Sequence, residues 1–238
     1  MKYTILFLFN LLSARNKVFI LFSFCIICGC CIQVKSQEIF QPELSIGPFT
    51  GVTLSQVSFN PKIKQQYLIA YTVGCKLRLI SEKHLGFLIE PNYSVYGWSE
   101  NFEEYEDLAY KYSRKLHYIE LPFMTHMYFG NKQRIFLNAG PIGRFLIGEK
   151  ENINFSVENA PNPNSSETYG KPIEHKFDYG IAAGLGMELK TKKNSFLLEG
   201  RYYFGLGDIF NNHKKDFYPK SPNQNITITL TYLMPWGI

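Results

Sequence analysis

The chain has 238 residues, a formal net charge of +5 and five cysteines. Residues 1–36 hold four basic residues (Lys2, Arg15, Lys17, Lys35) and no carboxylate, so residues 37–238 carry only +1, which excludes a basic nucleic-acid-binding domain. Cys25, Cys28, Cys30 and Cys31 fall in the same leader, leaving Cys75 as the one later thiol, too few for a disulfide framework or a cysteine-based metal site.

The leader is expected to be an export signal. Arg15 and Lys17 precede an apolar stretch from Val18 to Ile32, and Val34-Lys35-Ser36 places small residues at −3 and −1 of a signal-peptidase site, with cleavage between Ser36 and Gln37. A lipoprotein signal lipidated at Cys30 is the alternative, since Ile27-Cys28-Gly29-Cys30 loosely fits that pattern. A retained transmembrane helix is disfavoured because Val18 to Ile32 is shorter than the roughly 20 residues a bilayer requires. The expected organisation is therefore a signal peptide over 1–36 and one domain over 37–238. No stretch after residue 36 approaches 18 consecutive apolar residues, so any membrane crossing there needs a closed β-barrel.

From residue 44 onward the periodicity is two, the spacing that separates the faces of a strand. Eight strands are predicted in order: Leu44–Ser55, Tyr67–Leu79, a segment from Leu85 through Val95, His117–Phe129, Ile135–Leu146, Phe177–Leu189, Phe196–Phe204 and Ile226–Tyr232. The last is the clearest, with Ile226, Ile228, Leu230 and Tyr232 alternating with Thr227, Thr229 and Thr231. In the third, Phe87, Ile89, Tyr93 and Val95 oppose Glu90, Asn92 and Ser94.

The connections alternate in length. Ser81–His84, Gly130–Arg134 and Thr191–Asn194 read as tight turns, whereas 56–65, 99–113, 148–174 and 207–223 read as long loops. Short turns at one rim and long loops at the other are the habit of outer-membrane barrels. The fold predicted is an all-β, eight-stranded, antiparallel up-and-down transmembrane barrel. A soluble lipocalin-like barrel has the same alternation turned inside out. Three features favour lipid outside: small residues on the polar face (Gly180, Ala182, Gly184, Gly186), aromatic residues near strand ends (Tyr93, Tyr96, Trp98, Tyr128, Phe129, Tyr202, Tyr203, Phe204, Tyr232, Trp236), and charges of both signs at mid-strand.

Those charges are Lys76, Arg78, Arg144 and Arg201 against Glu90, Glu120, Asp178, Glu188 and Glu199. Inside so narrow a barrel they have to be paired, and they are read as a structural charge network closing the lumen. The functional alternative is an ion or proton path. No catalytic site is read: among His84, His117, His126, His175 and His213, His126 can face the lumen, but no serine stands at a spacing that makes a nucleophile–base pair. No Gly-rich phosphate loop opens a helix, so no cofactor is inferred. Two long loops are charged, one acidic (Glu100, Glu103, Glu104, Glu106, Asp107) and one basic (His213, Lys214, Lys215, Lys220). They read as solvated tips, or as contacts for divalent cations, lipopolysaccharide or a protein partner; the acidic spacing is not that of a calcium loop.

Five segments carry a resemblance: Leu88–Gly97 (LIEPNYSVYG), Leu116–Gly130 (LHYIELPFMTHMYFG), Phe136–Gly148 (FLNAGPIGRFLIG), Phe177–Leu189 (FDYGIAAGLGMEL) and Leu197–Ile209 (LLEGRYYFGLGDI). In this order they resemble the PorT-type outer-membrane β-barrel proteins of Bacteroidetes. The resemblance implies an outer-membrane barrel of a Gram-negative cell in contact with lipid and lipopolysaccharide. Its family name further implies a type IX-like secretion machine and envelope partners, although most of its members are alike only as barrels. The C-terminus departs from the pattern, since Tyr232 is followed by Leu-Met-Pro-Trp-Gly-Ile.

Overall fold

The computed structural model describes residues 40–60, 62–102, 110–157, 169–210 and 221–236. The signal peptide and the Ser36–Gln37 junction lie outside them, as do Glu103, Glu104, Glu106 and Asp107 of the acidic loop and His213, Lys214, Lys215 and Lys220 of the basic one.

The described strands are β1 (Glu43–Val57), β2 (Gln65–Gln66), β3 (Leu68–Glu82), β4 (Leu85–Ile89), β5 (Asn92–Glu100), β6 (Tyr112–Gly130), β7 (Gln133–Ile153), β8 (Phe177–Lys190), β9 (Ser195–Asp208) and β10 (Pro222–Pro235). All pair antiparallel, and β1 bonds both β10 and β3, so the sheet closes on itself. Among the described residues the ring has eight staves, because β4 and β5 together form one and β2 only extends the edge beside β5. Closure leaves no free sheet edge along the wall.

Alternation sets the two surfaces. On β8, Ile181, Leu185, Met187 and Leu189 are exposed, while Asp178, Gly180, Ala182, Gly184 and Glu188 turn inward. On β6, Ile119, Leu121, Phe123 and Phe129 face out and Tyr118, Glu120, Met124 and His126 face in. A contiguous exposed apolar belt around a polar, charge-bearing interior is the reverse of a soluble barrel and matches a wall solvated by lipid. No helix among the described residues is long and apolar enough to cross a membrane.

Several expectations need correction. The third stave is split at Glu90-Pro91, where proline cannot donate to the ladder; instead the Cys75 amide donates to the Pro91 carbonyl (3.0 Å) and the Glu90 amide to the Pro122 carbonyl (3.2 Å). Beyond the break β5 pairs with β3 only through Asn92–Ser94, so Val95, expected on the lipid face, is buried. Gly97 follows with φ of 140°, and a Cβ there would lie 1.8 Å from the Arg114 carbonyl oxygen, so only glycine lets β5 approach β6 at this point. Four aromatics expected in the interfacial girdle, Tyr96, Trp98, Tyr128 and Tyr203, are buried inside. Their parity already placed them on the inner face, whereas closeness to a strand end says nothing about side.

The hairpin of β6 and β7 is also longer than its apolar alternation, running on to Tyr112 and Ile153. Its outer positions there, including Lys115 and His117, are polar. The hydrogen-bond ladder outlasts the apolar face that marks it in sequence, so part of each predicted loop at 99–113 and 148–174 is strand.

Candidate functional site: the filled lumen and its ends

The tight turns gather at one rim and the long connections at the other, and the inward side chains form layers between them. Nearest the short-turn end, Glu188 of β8 forms an ion pair with Arg78 of β3 (Nη1–Oε2 2.9 Å), which lies on the opposite side of the ring, and stands 3.6 Å from Arg134 Nη1 of the neighbouring β7. Arg134 also lies over the Tyr128 ring, 4.3 Å from its centroid. Beside this group His126 is buried, with Nδ1 2.7 Å from Asn138 Oδ1 and its ring between Tyr128 and Phe136.

At mid-height four groups share one site. Lys76 Nζ reaches Glu90 (3.1 Å) and Glu199 (2.9 Å), and Arg201 forks onto Glu90 through Nη1–Oε2 (2.7 Å) and Nη2–Oε1 (3.0 Å) while also donating to Glu199. Two cations meet two carboxylates, each held by more than one charge-assisted bond, which is what buried charge requires.

Toward the long loops, Glu120, Arg144 and Asp178 stand in register on adjacent β6, β7 and β8. Arg144 Nε lies 3.0 Å from Glu120 and Nη1 3.9 Å from Asp178. Its guanidinium sits 3.5 Å from the Tyr203 ring centroid, 4.6 Å from Tyr96 and 5.6 Å from Tyr118. The cation is thus sandwiched by aromatic faces as well as paired. Tyr96 Oη donates to Glu120 (3.0 Å) and Asn223 Nδ2 to Asp178 (2.8 Å).

The nine charged residues singled out in the sequence therefore fall into three groups stacked along the axis. Missing from that set were Arg134, the tyrosines around Arg144, and the asparagines Asn138, Asn223 and Asn225. Even parity on polar-faced strands is the available signal for Arg134, although the Gly130–Arg134 span reads as a turn. Small residues make the space: a Cβ at Gly186 would meet the Phe136 ring at 2.1 Å, and one at Gly184 would meet the Glu199 carboxylate at 2.8 Å. Leu88, Met124, Ile142 and Ala182 pack with Tyr203 between the charged groups.

Above the upper group an aromatic cap closes the long-loop end. Trp98 is fully buried, edge-on to Phe59 (5.2 Å) and Phe210 (6.5 Å), and the Arg114 guanidinium lies 5.8 Å from its ring. Outside the cap a cleft of about 670 Å3 opens between Glu100, Phe102, Tyr110, Lys111, Tyr112 and Asn152. The void among the side chains at the lumen centre is only about 20 Å3. Among the described residues no group of three His, Cys, Asp or Glu side chains is placed to hold a metal ion.

The chain has similarities to known proteins in structure and in sequence. Solved structures similar to the chain include OprG from Pseudomonas aeruginosa (10% identity, TM-score 0.48, covering 82% of this chain and 96% of that one) and Neisserial surface protein A (9%, 0.44, 83% and 100%). Another is Ail, the attachment invasion locus protein of Yersinia pestis, in complex with the heparin analogue sucrose octasulfate (11%, 0.37, 81% and 99%). No curated protein sequence matches. Residues 35–211 match the family model described as an outer membrane protein beta-barrel domain. With most of its length inside that match and its apolar face turned outward, the chain belongs to the outer membrane protein β-barrel domain family and resides in the outer membrane of a Gram-negative bacterium.

Proposed function

We propose that this barrel is a closed structural and partner-binding element of the outer membrane, with its working surface at the long-loop end. The contrast between the void of about 20 Å3 in the lumen centre and the cleft of about 670 Å3 outside the aromatic cap carries the reading. A single water needs roughly 10–15 Å3, so the central void offers no hydrated ion a route. The three charge groups then act as internal cross-links of the wall, and the charged residues they contain have a structural role. The cleft combines aromatic walls with Glu100, Lys111 and Asn152, a mixture suited to a protein loop or a glycolipid headgroup.

A photo-crosslinking residue at Lys111 or Asn152 in living cells tests this, with a lipid-facing Leu185 position as control. A discrete adduct at the cleft positions alone is expected; no adduct there, together with stable conductance in planar bilayers, overturns the proposal.

A second reading, a component of a type IX-like secretion machine, draws on the five ordered segments that resemble PorT-type barrels. Deleting the gene and assaying cargo export decides it, since normal export removes the reading and leaves the first intact.

A further inference from the structure

At the short-turn rim the charge balance differs from that of the lumen above. A cleft of about 360 Å3 beside the Thr191–Asn194 turn is walled by Arg78, Lys190, Lys192, Lys193, Ser195 and Trp236. Lys190 is matched by Glu43, with Nζ 2.6 Å from Oε2. Glu188 is shared between Arg78 and Arg134. Lys192 and Lys193 are exposed and have no ion-pair partner among the described residues. The lining of this cleft therefore sets four cations, Arg78, Lys190, Lys192 and Lys193, against the one carboxylate of Glu43, whereas the mid-lumen group balances two against two. Arg78, on the floor of the cleft, is 1% exposed, and its Nε has no hydrogen-bond partner. A buried guanidinium donor left open beside unneutralised lysines calls for an anion with several acceptor oxygens.

The height of the cleft selects the source of that anion. Trp236 is 55% exposed at its edge, and on the outer wall the Phe196 and Tyr232 rings lie 5.1 Å apart, with Asn194 Nδ2 donating to Tyr232 Oη (2.7 Å). Aromatic groups with a polar tip mark the level of lipid headgroups. Because short turns face the periplasm, the headgroups at this level are those of the inner, phospholipid leaflet.

We infer that the periplasmic mouth is a phosphate site for an anionic glycerophospholipid of the inner leaflet. Lys192 and Lys193 bind its phosphodiester above the Arg78 floor, and its acyl chains lie along Phe196 and Tyr232 on the outer wall.

The test uses the folded mature barrel in neutral detergent, with retained lipid counted by native mass spectrometry. The probes are dioleoylphosphatidylglycerol, dioleoylphosphatidylcholine and inorganic phosphate. The wild type is expected to retain phosphatidylglycerol over phosphatidylcholine, and Lys192→Gln/Lys193→Gln to lower that retention on the order of tenfold, as expected for two lysines at an anionic surface. Lys62→Gln/Lys150→Gln, which changes exposed lysines toward the long-loop end, is expected to retain it unchanged. Heat-modifiability on gels confirms that each variant is folded; Lys192 and Lys193 make no ion pair or side-chain hydrogen bond among the described residues. Equal retention of the two lipids, or wild-type retention by the turn variant, overturns the site. Displacement of the lipid by inorganic phosphate at equal concentration assigns the mouth to a free anion and overturns the lipid assignment.

Discussion

Arg201 reaches across the lumen to Glu90 from the diametrically opposite stave of the ring, closing a two-pronged pair at 2.7 and 3.0 Å. The pair ties β9 to the β4–β5 junction, two segments 111 residues apart in sequence. Truncating one partner leaves the other charge buried and unmatched, so Glu90→Ala is expected to destabilise the barrel by about 3–5 kcal/mol. Replacing both by apolar residues of similar volume, Glu90→Leu with Arg201→Met, is expected to recover most of that loss. Urea midpoints of the barrel refolded in phospholipid vesicles read both effects. A double variant no better than the single ones would show that the pair contributes more than relief of its own desolvation.

The Gly186–Phe136 contact makes a steric prediction. A Cβ at Gly186 would fall 2.1 Å from Phe136 Cζ and 2.5 Å from the Leu198 carbonyl oxygen. Gly186→Ala is expected to cost about 1–3 kcal/mol, as overpacking does. Phe136→Leu in the same chain is expected to restore part of it, since the ring yields and the backbone does not. Additive losses in the double variant would assign the cost to the backbone contact alone.

Much of the wall was legible because a strand in lipid leaves a binary record: Ile226, Ile228 and Leu230 face out and Thr227, Thr229 and Thr231 face in, as their alternation requires. The cross-strand trio Glu120, Arg144 and Asp178 is local in the same sense, since register follows from two hairpins. The cross-lumen partners of Lys76, Arg78 and Arg201 were not legible, because they depend on the stagger accumulated around the closed ring. The side taken by Tyr96, Trp98, Tyr128 and Tyr203 could be read from parity, but their aromatic character pointed to the interface instead. The split at Pro91 hid the burial of Val95, because an alternation rule assumes an unbroken stave.

Lipid on the outer face predicts a depth dependence along β8. Leu185 is 64% exposed near the middle of the apolar belt, and Leu189 is 52% exposed beside the short turn. Leu185→Arg is expected to cost about 2–4 kcal/mol and Leu189→Arg about 0–1 kcal/mol when the barrel is folded into vesicles. A soluble barrel would tolerate both alike. Equal, small effects at the two positions would therefore place this surface in water.

The layered filling of the lumen predicts which deletions open it. Trp98 holds the aromatic cap, and Trp98→Ala is expected to cost about 3–5 kcal/mol and to expose the long loops to protease. It is expected to leave planar-bilayer recordings silent, because the three charge groups below the cap still fill the cross-section. Arg78→Ala, Arg144→Ala and Arg201→Ala together remove one arginine from each of the three groups, which strips Glu120 and Asp178 of their cation and leaves Glu90 and Glu199 with Lys76 alone and Glu188 with Arg134 alone. The under-compensated carboxylates then line a wetted path, and cation-selective conductance is expected in the triple variant wherever it folds. Stable conductance in Trp98→Ala but not in the wild type would show that the closure resides in the cap and not in the paired charges beneath it.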